Sequence, residues 1–118
     1  MRYVDGYVVP VPKKRIAAYR SIAQKAGKVW RDHGALEYVE CVAEDVKEGK
    51  VTSFPQSVNL EDGETVVFAW ITFESREERD RINAEVMKDR RMAEPPSEEM
   101  QAVMKRMVYG GFEAVVDI

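Results

Sequence analysis

Residues 65–73, TVVFAWITF, constrain this chain more than any other stretch. They are β-branched, aromatic and small apolar types, the composition of a strand. Strand side chains alternate between two faces. Here Val66, Phe68, Trp70 and Thr72 share one face, and Val67, Ala69, Ile71 and Phe73 share the other. Both faces are apolar, so the strand needs cover on both sides.

The rest of the chain offers cover for one side. Residues 2–9 read as a strand that Pro10 and Pro12 should end. Residues 13–33 read as a helix. Its apolar side chains recur three or four apart, at Ile16, Tyr19, Ala23, Ala26, Val29 and Trp30, and Gly34 stops it. Gly27, inside that pattern, predicts close packing or a bend. A second strand is expected over 35–43, followed by a charged loop over 44–50 and an irregular extended arm over 51–60. Glu61-Asp62-Gly63-Glu64 predicts a hairpin turn. Ser75 with Glu78 three residues on is a capping box, opening a helix to about Asp89 with Ile82, Val86 and Met87 as its apolar stripe. Ser97 caps a short helix carrying Met100, Val103 and Met104. Residues 107–116 form a last strand, with a bulge expected at Gly110-Gly111.

This order, β-α-β-arm-β-α-β, predicts an α+β fold: a ferredoxin-like βαββαβ sandwich with an antiparallel sheet, one domain spanning 1–118. Two helices cover one sheet face. An uncovered apolar face is something monomers generally avoid, and a two-fold partner is the commonest remedy. A homodimer is therefore expected, two sheets closing into a dimeric α/β barrel. The alternative is that the arm 51–60 folds over the sheet of its own chain.

Several segments resemble the YbaA-like family, a bacterial domain of unknown function (DUF1428). They are the opening YVDGYVVPVP, the segment ECVAEDVKEGKVTSF, the run VVFAWITF, the stretch MKDRRM and the ending KRMVYGGFE, in the same order along nearly the whole chain. The resemblance implies a dimeric α/β-barrel fold and no established activity. It departs around Met92 to Gln101. The wider barrel superfamily includes cofactor-free monooxygenases, haem-degrading enzymes, isomerases and stress proteins, so the fold does not select a reaction.

Composition narrows the partners. A net charge of -3 disfavours general binding to phosphate backbones, with Lys13, Lys14 and Arg15 the nearest thing to a basic patch. The lone Cys41 fits a reducing compartment, and the opening shows no signal-peptide pattern, so the cytoplasm is the expected location. No apolar run reaches the length of a membrane span, so no membrane partner is expected. One histidine, His33, and one cysteine give no zinc-type ligand set, so neither metal nor cofactor is expected. His33 reads as a capping residue near a helix end, Cys41 as a buried structural thiol, and the charges of 76–91 as a solvated helix face.

Two carboxylates stand out. Asp5 lies between Tyr3 and Tyr7, and Glu40 between Val39 and Cys41, each in an apolar or aromatic strand. A carboxylate inside a barrel either finds a partner or protonates more readily. Asp5 and Glu40 are thus the catalytic candidates, against an ordinary ion pair with Arg2, Arg106 or another base. Tyr3, Tyr7, Trp70 and Tyr109 are the ligand-binding candidates, aromatic walls with polar tips, against plain packing. Whether the chain is an enzyme stays open. Binding of a small molecule in the barrel is the leading reading. A non-catalytic structural or stress-related dimer follows it, and an RNA-associated or regulatory module comes last.

Overall fold

The computed structural model describes all of Met1–Ile118. Its elements are β1 (Tyr3–Pro12), α1 (Ile16–Asp32), β2 (Glu37–Val42), α2 (Phe54–Ser57), β3 (Glu64–Phe73), α3 (Arg76–Lys88), α4 (Glu98–Lys105) and β4 (Val108–Glu113). Single 3-10 turns precede α1 and follow α3. The sheet runs β2-β3-β1-β4, with every neighbouring pair antiparallel. The two halves β1-α1-β2 and β3-α3-β4 give the expected ferredoxin-like α+β sandwich, α4 being an addition to the second.

One sheet face meets the helices. Val9, Val11, Val67 and Ala69 pack with Met100 and Val103 of α4. Ile71 and Phe73 pack with Val29 of α1 and with Ile82 and Val86 of α3. Burying one such side chain contributes about 1.5–3 kcal/mol before conformational entropy is subtracted. The other face carries Val8, Phe68, Trp70, Val108 and Phe112. Of these, Phe68 is 43% exposed, Val108 48% and Phe112 64%. The double-sided apolar strand is therefore real, and only one side is fully covered.

Several local expectations need correcting. Pro10 and Pro12 do not end β1; both pair with β3, opposite Val66 and Glu64. The β1–β4 ladder stops at Val8, so beyond it β1 has a free edge. The Lys13 amide donates toward the β3 side, to the Gly63 carbonyl (2.9 Å). By alternation the two prolines point their missing N–H at the free edge, where a strand tolerates proline.

The arm is not wholly extended. Ser53 caps the one-turn helix α2, accepting from the Gln56 amide at 3.3 Å. Pro55 and Val58 are buried, and the Phe54 ring meets Phe68 edge-on at 5.6 Å. The arm thus shields the Pro10–Val66 end of the outer face and leaves the rest open. Gly63, at φ 82°, makes the expected turn, but no hairpin forms, because the segment before it is not a strand and β3 pairs with β1 and β2 instead. No bulge interrupts β4: Gly110 and Gly111 sit in regular register with Gly6 and Asp5. Met87 is 66% exposed and Met104 40%, so neither belongs to the core.

Candidate functional site

A cavity of about 910 Å³ lies between the sheet and the helices, within the usual range of ligand sites. Asp5 and Tyr7 of β1, Ala69 and Ile71 of β3, and Tyr38 and Glu40 of β2 form its floor. Tyr19 and Trp30 of α1 and Arg79 and Asn83 of α3 form its walls. Met92, Pro95 and Pro96, between α3 and α4, also line it. Ala69 has Tyr7 and Glu40 as its register neighbours on either side. Its small side chain keeps the middle of the floor low.

Asp5 anchors one end. It is only 6% exposed. Arg79 donates to it through Nε at 3.1 Å, and through Nη2 to the Tyr3 hydroxyl at 3.2 Å. The guanidinium carbon stands 4.8 Å over the Tyr3 ring, a cation–π contact. Nη1 reaches back to Asp80 at 2.8 Å. Burial pushes the Asp5 carboxyl up, and Arg79 opposes that shift. Gly111 makes the arrangement possible, because a Cβ there would collide with the Arg79 guanidinium and the Tyr3 hydroxyl.

Glu40 anchors the other end, and its two oxygens are held separately. Oε1 accepts from the Tyr19 hydroxyl and Oε2 from Tyr38 at 2.7 Å. Burial, with Glu40 close by, pushes both phenols up, so they remain neutral donors. Burial and then the Asp5 charge push up the Tyr7 phenol. Tyr38 is seated against Gly27, where an added Cβ would come within 2.7 Å of its ring; close packing, not a bend, is the reason for that glycine.

The segment after α3 is tied to α1 by polar contacts. His33, at the end of α1, bonds through Nε2 to Asp89 Oδ2 at 2.8 Å. Arg91 joins the same carboxylate at 2.8 Å and Asp32 at 2.6 Å. Arg91 first, and His33 second, hold the Asp89 carboxyl well below the usual carboxylate range.

Sequence reasoning singled out Asp5, Glu40, Tyr7 and Tyr109, and all four border this one cavity. Tyr7 and Tyr109 stack at 6.1 Å. Tyr3 acts on the cavity through Arg79 and is not among its lining residues. Trp70 borders the cavity, but its ring packs on Phe68 at 5.7 Å on the outer face. The partner of Asp5 is Arg79, since Arg2 pairs with Asp117 and Arg106 with Glu64. Cys41 is exposed on the outer face, not buried. Arg79 contradicts the reading of 76–91 as a wholly solvated face. It shares a helical stripe with Ile82 and Val86, and that spacing was the signal available for it. Tyr19 and Tyr38 were missed as clamps for Glu40. Both fall on apolar positions of their elements, where a tyrosine reads as core.

A family model described as "Protein of unknown function (DUF1428)" matches residues 2–105. The chain belongs to this family. Its curated relatives include the "Uncharacterized protein YbaA" of Escherichia coli K12, 50% identical over 117 residues and 99% of both chains. The protein of that name from Shigella flexneri is equally similar, at 50% over 117 residues. Among solved structures, this DUF1428 chain is similar to a dimeric ferredoxin-like protein from an uncultured marine organism, at a TM-score of 0.65 and 10% identity, covering 99% of this chain and 98% of that one. That likeness supports the fold. No helix of the DUF1428 chain is long and apolar enough to cross a membrane.

Proposed function

We propose that this DUF1428 protein binds a small, largely apolar molecule in the cavity between helices and sheet. It does so as a cytoplasmic homodimer joined through the outer sheet face. One observation carries the reading. Asp5 and Glu40, far apart in sequence, converge with Tyr7, Trp30 and Tyr109 on a single cavity of ligand size. An apolar cleft with a few converging polar groups is the usual form of a small-molecule site. Asp5, whose carboxyl is pushed up by burial, is the group placed to exchange a proton with a bound molecule. The exposed Phe68, Val108 and Phe112 support the dimer, as does the dimeric description of the ferredoxin-like neighbour.

A thermal-shift screen tests the binding. A ligand at a hundred times its Kd should stabilise the chain by about 2.7 kcal/mol, a rise of several degrees. Ala26→Trp, which fills the cavity, should remove that rise. A non-catalytic dimer is the second reading, favoured by Asp5 and Glu40 both being satisfied within the protein. A broad screen without any shift, or shifts that persist in Ala26→Trp, would leave that reading standing and end the first.

A further inference from the structure

We infer that the Glu40 end of the cavity is a receptor for a positively charged nitrogen, and that the ligand is an organic cation with an apolar body. This rests on the binding reading above and names its ligand class. The argument begins with charge. Asp5 is matched by Arg79, Glu64 by Arg106, and Asp89 by Arg91. Glu40 is matched by nothing. No lysine, arginine or histidine forms an ion pair with it. Lys25 borders the cavity but stays exposed.

Two tyrosine hydroxyls hold the Glu40 oxygens in place. They are neutral donors, so they orient the carboxylate and leave its charge uncancelled. Having donated their protons, both phenol oxygens keep lone pairs that can accept, so this end of the cavity is rich in acceptors. Tyr7, across the small Ala69, lines the same space, and its hydroxyl makes no side-chain hydrogen bond within the protein. Aromatic rings complete the surround: Tyr7 against Tyr109, and Trp30 tilted on Tyr38 at 6.0 Å. Ring faces attract cations, and a half-buried carboxylate beside them repels anions. A neutral molecule would gain the apolar contact and at most an ordinary hydrogen bond to these acceptors. An ammonium group gains the charge, the lone pairs and the rings together.

Three probes with one aromatic body separate the cases: phenylethylamine, phenylethanol and phenylacetate, titrated into the full chain by calorimetry. The amine should bind at least tenfold more tightly than the alcohol, and the acetate most weakly. Glu40→Gln should weaken the amine about ten- to a hundredfold, the loss of a charge-assisted contact, and weaken the alcohol far less. Glu40→Asp, which withdraws the charge by one methylene, should show the same order with smaller losses and serves if Glu40→Gln does not fold. Alcohol or acetate binding as tightly as the amine, abolished by Ala26→Trp, would overturn the cation while leaving the cavity a binding site. An amine whose affinity ignores both Glu40 variants would overturn it too. Failure of all three probes to bind would overturn this inference, whereas the cavity reading itself stands or falls on the broader screen.

Discussion

Arg79 governs how Asp5 behaves. Burial alone pushes that carboxyl up, and the guanidinium restrains it. Arg79→Met should therefore raise the Asp5 pKa further, which carbon-detected NMR titration would follow. A carboxyl whose folded pKa lies above its unfolded value costs stability at high pH, and the cost fades as pH falls through the folded pKa. The deficit of Arg79→Met against the parent should thus be larger at pH 7 than at pH 4, by about 1.4 kcal/mol for each unit that the pKa rises. A deficit independent of pH would show that Arg79 serves packing alone. Asp5 and Glu40 were legible in the sequence because an acid in an aromatic strand is conspicuous. Their partners were not. Arg79 stands 74 residues beyond Asp5 and Tyr19 stands 21 before Glu40, both on helices, and only the packing of helix on sheet decides which helix turn faces which strand residue.

Among the elements, α1 meets β2 closely at Gly27. Alanine at position 27 would improve helix propensity by about 1 kcal/mol, yet its Cβ would press on the Tyr38 ring at 2.7 Å. Overpacking of this kind costs about 1–3 kcal/mol. Gly27→Ala should be neutral to destabilising by about 2 kcal/mol in urea unfolding, and should disturb the Tyr38–Glu40 hydrogen bond. A clear gain in stability would refute the packing argument. Ser75 makes a simpler case. It accepts from the Glu78 amide at 3.1 Å, and Ser75→Ala should cost about 1 kcal/mol. The cap was plain in the sequence, because capping chemistry is local. The course of β1 through Pro10 and Pro12 was not. Whether proline ends a strand depends on which neighbour lies on its N–H side, and here β4 has already stopped. Gly110-Gly111 misled for a related reason: a glycine pair suggests irregular backbone, whereas Gly111 provides room for Arg79 and Tyr3.

For the molecule as a whole, the double-sided strand announced the architecture and a face needing cover. The arm gives part of that cover through Phe54, Pro55 and Val58, and Phe112 stays 64% exposed. If a second copy supplies the rest, Phe112→Glu should shift the light-scattering mass from dimer to monomer at micromolar concentration while circular dichroism stays unchanged. A parent protein that is already monomeric there would remove the dimer from the proposal. The strand order has a consequence for how the chain is made. β1 is synthesised first and lies in the middle of the sheet, where Tyr3 must wait for Phe73 and then for Glu113. Translation at roughly 5–20 residues per second leaves that strand without neighbours for several seconds. Pairings between such distant residues also form slowly. Throughout that interval Asp5, Gly6, Pro10 and Pro12 interrupt what would otherwise be an adhesive valine-rich segment. The features that shape one edge and one end of the cavity in the finished protein are thus also of the kind that make an unpaired strand less adhesive.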